Sequence, residues 1–263
     1  MILVFSGTKE GNLIIKDLAI AGMNIIASFS SIYGKESIDD YLKDLGERII
    51  VNGEKLDLAE ILNLIENYKI KIIIDATHPF AINITKNAMV AAEVKKIKYI
   101  RFERKELPVV KEKNIHYFEN FSSSLNFLDG FSGNIFFTIG ANNLKEYSTI
   151  IGNSSKERGI YIKILPTIES INEAIKAGAK TKQIVAFYGF WGKDILKSFI
   201  FEKSIKAVVT KQSGASGGEN EKILASKETG CTLIVIKRPE IKCSNVCYSF
   251  DELIEEIKSY NST

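Results

Sequence analysis

Short apolar runs alternate along this chain with longer stretches in which apolar residues recur every three or four positions. In the first half, ILVF (2–5), NIIAS (24–28), RIIV (48–51), KIIID (71–75) and IKYIR (97–101) read as strands. They are too short for helices, and a continuous apolar run is the signature of a strand covered on both faces. Between them, 11–22, 37–45, 56–68 and 83–95 carry helical spacing, as in Leu58, Ile61, Leu62 and Ile65. The pattern restarts after Pro108, with strands predicted at 115–118, 134–138, 160–164, 184–187, 206–210 and 232–236. Helices are predicted at 122–128, 142–149, 168–177, 192–199, 219–229 and 250–259.

Strand and helix in strict alternation predict an α/β fold of mainly parallel sheets. The restart predicts two doubly wound domains, 1–107 and 108–263, meeting near 105–112. Open sheets of this kind bind ligands beyond the carboxyl ends of their strands, so the expected site is a cleft between the domains. Pro79, Pro108, Pro166 and Pro239 stand at strand ends or junctions and point to the loops that matter.

Composition narrows the classes. With 45% hydrophobic and 25% charged residues, the chain is an ordinary globular one, and a net charge of +3 does not predict a nucleic-acid partner. The opening MILVFSG lacks the basic flank and cleavage site of a signal peptide, and no apolar run approaches a membrane span, so a cytoplasmic protein without a membrane partner is expected. Cys231, Cys243 and Cys247 have no second ligand pair nearby and are read as structural thiols, with no metal site.

The candidate chemistry gathers at strand ends. FSGTKEG (5–11) opens the first helix, where backbone N–H groups and the helix dipole favour a phosphate or carboxylate. It lacks G-x-G, which leaves an ordinary turn as the rival reading. ASFSSIYG (27–34) has no acidic residue for a ribose, and its serines with Lys35 tolerate a 2′-phosphate. DATHPFA (75–81) follows the fourth strand, which neighbours the first in a 3-2-1-4-5 sheet, so it shares a crevice with SGTKEG. His78 in that loop is a candidate for proton transfer against a structural role.

RFERK (101–105) is expected to turn the guanidinia of Arg101 and Arg104 to one side as a carboxylate clamp, or to pair them with Glu103 or Glu106. FTIGANNL (137–144) reads as a turn capped by Asn142 or Asn143, and the aromatics of AFYGFWGKD (186–194) read as packing. KQSGASGG (211–218) can present outward N–H groups at the start of the 219–229 helix. Lys222 in its first turn opposes the helix dipole by roughly a few tenths of a kcal/mol, which an anion would relieve. KRP (237–239) adds positive charge.

In order, GTKEG, SxxYG ending at Gly34, DATHPFA, RFER, TIGANNL, LP (165–166), TKQSGASGGENEK and KRP resemble the motifs of the precorrin-6A and cobalt-precorrin-6A reductases of cobalamin biosynthesis. The resemblance runs over nearly the whole chain. It departs at Lys105, where proline is usual, and at YGFWG (188–192), where a QGPFS-like loop is usual.

The resemblance implies two Rossmann-like domains and a reductase using NADPH or NADH. A hydride would go to C19 of a tetrapyrrole, precorrin-6A or cobalt-precorrin-6A, with a proton added at the neighbouring carbon. Gly7, Thr8, Glu10, Ser28, Ser30, Ser31 and Thr77 are then expected to hold the cofactor. Arg101, Arg104, Ser213, Gly214, Gly217, Gly218, Lys222 and Arg238 are expected to bind the substrate's carboxylates. His78 is the expected proton donor, with solvent or Lys211 as alternatives, and the 211–222 loop either clamps substrate or closes over cofactor phosphates. The rival classes are a cofactor-free enzyme resembling uroporphyrinogen synthase and a tetrapyrrole- or nucleotide-binding module.

Overall fold

The computed structural model describes residues 1–30, 34, 36, 38, 45–153 and 158–261. Ser31, Lys35 and most of the helix expected at 37–45 lie outside the described residues. The chain forms two compact units, Met1–Lys105 with Glu240–Thr263, and Glu106–Pro239.

The first unit begins with β1 (Ile2–Phe5), α1 (Lys9–Ile20), β2 (Ile25–Ser28), β3 (Ile49–Asn52), α2 (Leu58–Tyr68), β4 (Ile72–Asp75), α3 (Ile82–Lys95) and β5 (Lys98–Phe102). The second contains β6 (Ile115–Phe118), α4 (Phe121–Asp129), β7 (Asn134–Phe137), α5 (Ser148–Gly152), β8 (Ile160–Ile164), α6 (Ile168–Lys176) and β9 (Ile184–Ala186). It continues with α7 (Lys193–Glu202), β10 (Ile205–Lys211), α8 (Glu219–Thr229) and β11 (Thr232–Ile236). The chain then returns to the first unit as β12 (Val246–Cys247) and α9 (Phe250–Asn261).

Both sheets are parallel throughout, in the orders β12-β5-β4-β1-β2-β3 and β6-β11-β10-β7-β8-β9. Read from β7, the second order is again 3-2-1-4-5, so each unit has one switch point, between β1 and β4 and between β7 and β10. A sixth strand flanks the fifth in each sheet, β12 in one and β6 in the other.

Side-chain alternation divides the first sheet between two cores. Val4, Ile25 and Ile74 face α1 and α9, where Leu18, Leu253 and Ile257 are fully buried. Leu3, Ile26 and Ile73 face α2 and α3, against Ile61, Ala88 and Ala91. In the second unit, Phe136, Val208 and Leu233 pack against Leu196 and Ile200 of α7 and Ile223 of α8. α1 is capped by Thr8, whose hydroxyl accepts the Gly11 N–H at 3.0 Å.

Two expectations need correction. Residues 240–263 were assigned to the second domain, but β12 pairs with β5 and α9 packs on the first core. A two-residue strand carries no periodicity, and an amphipathic helix does not name the sheet it covers. The segment expected as a helix at 142–149 opens as a 3-10 turn, Ala141–Tyr147, with no side-chain cap. The cysteines are unbridged, and burial pushes the Cys231 thiol up to about 12 and the Cys247 thiol up to about 11, which suits structural roles.

The returning helix gives a direct test. Leu253→Ala should cost about 2–5 kcal/mol, read by hydrogen exchange as lost protection in β1, β4 and β5 with β7, β10 and β11 unchanged. Equal loss in both sheets would contradict the assignment of α9.

Candidate functional site

In the first unit, the β1 loop, the β4 loop and the end of β5 meet at the switch point. Thr8, Glu10, Thr77, Pro79, Glu103 and Arg104 line a small crevice there. Gly7 takes φ 138°, and nothing lies within 4 Å of where its Cβ would be, so the backbone is open to close approach. The Thr8 hydroxyl donates to the Ala76 carbonyl at 3.0 Å, tying the β1 loop to the β4 loop. The Cβ of any residue replacing Gly11 would lie 2.4 Å from Ser6 Oγ, so the glycine allows α1 to start close to the strand.

Beneath the crevice lies a buried polar network. Asp75 is fully buried and Arg101 is 2% exposed, with Nη1 2.7 Å from Asp75 Oδ1. Oδ1 also accepts the Thr77 N–H at 3.0 Å and its hydroxyl at 2.6 Å, while Oδ2 accepts the Tyr99 hydroxyl at 3.0 Å. Burial, with the Asp75 charge beside it, pushes the Tyr99 phenol well up, so it remains a donor. Arg101 also donates to Thr77 Oγ1 and to the Thr77 carbonyl, both at 3.1 Å, and to Glu103 Oε1 at 3.2 Å.

This corrects the clamp expected at RFERK. Arg101 and Arg104 are three apart on extended chain and so point to opposite sides. Arg101 goes into the network, and Arg104 pairs with Glu10 at 2.5 Å on the crevice wall. Thr77, on the crevice wall, has its hydroxyl, N–H and carbonyl bound within the network. Ser28 is buried, with its hydroxyl accepting from Asn52 Nδ2 at 3.3 Å, whereas Ser30 is exposed. His78 is half-buried, and its Nδ1 accepts the Phe80 N–H at 3.2 Å.

In the second unit, the loop after β10 does not present its amides outward as expected. The Gly214 N–H donates to the carboxylate of buried Glu219 at 2.7 Å, and Ser213 N–H also reaches that carboxylate. The Gly217, Gly218 and Glu219 N–H groups donate to Gly214 O, Ala215 O and Gly214 O. The chain's own carboxylate therefore fills the cradle, and Ser213, Gly214, Gly217 and Gly218 shape the loop. Arg238 is also engaged within the fold, with Nε donating to the Gln212 carbonyl at 3.2 Å and lying 4.0 Å from Glu106.

The lysines are the basic groups at this end. Lys211 Nζ donates to Asn143 Oδ1 at 3.1 Å across the β7–β10 switch point, and Lys222 Nζ donates to the Gly217 carbonyl at 3.1 Å. Burial first, then the charge of Lys222, pushes Lys211 down to about 8. Lys222 is pushed down to about 8 by burial and then by Lys163, against the opposing pull of Glu219 and Glu221. Lys163, from β8, was missed by the sequence reading, as were Asp75, Tyr99 and Glu219.

Among the described residues no group of three or more His, Cys, Asp or Glu could hold a metal ion, and no helix is long and apolar enough to cross a membrane.

Residues 1–258 match the family described as "Precorrin-6x reductase CbiJ/CobK". The chain is 36% identical over 259 residues to the "Cobalt-precorrin-6A reductase" of Methanocaldococcus jannaschii, covering 97% of each chain. It is 31% identical over 252 residues to the protein of the same name from Methanococcus maripaludis, covering 95% of this chain and 94% of that one. The solved structure "CobK precorrin-6A reductase" superposes with a TM-score of 0.79 at 20% identity, covering 100% of this chain and 98% of that one, which supports the fold.

Two outcomes follow from the two polar interiors. Arg101→Ala should cost about 3–5 kcal/mol by stranding Asp75, seen as a lower urea midpoint. A purely ligand-facing arginine would leave that midpoint in place. For Lys211 and Lys222, folding lowers the pKa from 10.5 to about 8, so the unfolded chain binds more protons between those values. The second unit should therefore gain stability as pH rises from about 8 to 10.5, followed by the emission of Trp191, and Lys222→Met should flatten that rise.

Proposed function

Because this chain belongs to the precorrin-6x reductase family, we propose that it reduces cobalt-precorrin-6A, or its metal-free counterpart precorrin-6A, to the 6B form. The reductant is NADPH or NADH, the hydride goes to C19 of the macrocycle, and a proton goes to the neighbouring carbon. The cobalt-bearing substrate is favoured by the names of the two relatives above, and the cytoplasm is the compartment this chemistry implies.

The observation that carries the reading is the open backbone at Gly7 beside the capped start of α1. A pyrophosphate fits there, since it needs N–H groups, a helix N-terminus and no side chain in the way. Glu10 in that first turn would repel phosphate, but its ion pair with Arg104 moderates its charge. The serines after β2 and the lack of a carboxylate in 27–34 favour NADPH over NADH. When bound, the reduced nicotinamide supplies the hydride, and the protein's task is placement.

His78 is less suited to donating the proton than its position in the loop implied. With Nδ1 accepting the Phe80 N–H at 3.2 Å, one ring nitrogen is committed to the loop's own backbone and only Nε2 is left to carry a proton. Lys211, near pKa 8, stays mostly protonated at neutral pH and can still release a proton, so we assign it that role ahead of His78 and solvent.

Titration with NADPH and NADH, followed by nicotinamide fluorescence, tests the cofactor site. Gly7→Ala should weaken the preferred cofactor by roughly tenfold or more, because alanine strains at φ 138° and fills the open space. Binding of neither nucleotide to folded protein, together with no turnover of cobalt-precorrin-6A, would overturn the reductase reading.

A further inference from the structure

Residues 187–192 have no part in the function argued so far, and they carry three aromatic rings half-open to solvent. Phe187 is 43% exposed, Tyr188 50% and Phe190 38%. The loop is held from below by Trp191, which packs on Phe136 at 5.5 Å and Phe199 at 5.1 Å between ring centres and meets Phe187 edge-on at 6.0 Å. Phe190 lies over the glycine loop, so that a Cβ at Gly218 would come within 2.8 Å of it. Gly218 is left-handed at φ 70°, so glycine is required there on both counts.

Lys163 joins this rim to the basic groups. Its Nζ donates to the Gly189 carbonyl and lies 5.8 Å from the centre of the Phe187 ring. Its charge also acts on Lys222, which is bound to the carbonyl of Gly217. The β8, β9 and β10 strands are parallel members of one sheet, so the loops that follow them share its carboxyl edge. Aromatic surface and two ammonium groups therefore lie together in the second unit.

We propose that this rim is the seat of the macrocycle, with the ring face over Tyr188 and Phe190 and carboxylate arms on Lys163 and Lys222. The inference rests on the tetrapyrrole reading above and extends it to residues that reading does not use. The chemistry favours this occupant: a wide apolar ring matches half-exposed aromatic faces, and its many acetate and propionate arms match ammonium groups. A cofactor phosphate would share the charge preference but not the need for an aromatic rim.

The test uses the full chain and uroporphyrin, a planar tetrapyrrole with eight carboxylates, followed by the anisotropy of its own emission. Tyr188→Ala and Lys163→Ala should each weaken uroporphyrin by about tenfold. Lys163→Arg should restore much of the loss, and NADPH affinity should stay unchanged. The seat is overturned if wild-type protein does not bind uroporphyrin, if neither variant weakens it, or if NADPH affinity falls instead. Tyr188 is 50% exposed, and Tyr188→Ala supplies a second, independent variant should Lys163→Ala disturb the loop. Turnover of cobalt-precorrin-6A and nucleotide binding are read separately: uroporphyrin binding lost in the variants, with no wild-type turnover and no binding of NADPH or NADH, would overturn the reductase reading and keep the seat.

Discussion

Arg101 and Asp75, 2.7 Å apart on neighbouring strands and almost wholly removed from water, set the geometry of the first switch point. Removing two charges from water is costly, and their mutual attraction repays it only when their remaining donors and acceptors are also satisfied. Here Thr77 and Tyr99 complete Asp75, while Thr77 and Glu103 complete Arg101. The same bonds fix the backbone of the β4 loop, and Thr8 carries that order to the β1 loop through Ala76. An apolar pair could match the pair's stability but could not hold those loop amides and carbonyls. The network is thus a positioning device for the crevice above it.

The second unit repeats the strand order and solves the same problem differently. Its β10 loop also needs partners for amides at a switch point, and Glu219 supplies them from the helix that follows. Burial pushes that carboxyl up, although the Gly214 and Ser213 amides, Arg238 and Lys222 pull the other way. One topology therefore yields two surfaces. Gly7 leaves backbone open in the first unit, which suits a phosphate read by N–H groups. The closed loop of the second leaves recognition to side chains, which suits flexible carboxylate arms.

The strand pattern was legible to within about a residue, because a parallel strand covered on both faces must be continuously apolar. The order 3-2-1-4-5 followed, and with it the pairing of the β1 and β4 loops. Burial of charge was not legible. RFERK shows two arginines, but whether a guanidinium faces solvent depends on a buried partner 26 positions away, Asp75, which the sequence presents as an ordinary strand end. KQSGASGG shows a run of small residues, but its amides were closed by Glu219, which looks in sequence like a helix-start acid. Lys163 left one signal: a lysine in the apolar run IYIKI has to emerge somewhere, and so close to the strand's carboxyl end it emerges where ligands bind.

On the proposed seat, the depressed lysines of the second unit favour a negatively charged ligand. In the free protein Lys222 falls to about 8 because burial strips its hydration first and the charge of Lys163 acts on it second, while burial lowers Lys163. A carboxylate arriving between them replaces both losses with attraction and raises both pKa values, so the lysines hold their protons more firmly in the complex than alone. Lys211 shares the repulsion from Lys222. Its proton is therefore held least tightly in the free protein and more firmly once an anion relieves that repulsion. On the proposed reaction, the arms of the seated substrate therefore keep Lys211 charged, and its proton leaves only once hydride transfer has made the neighbouring carbon basic enough to take it.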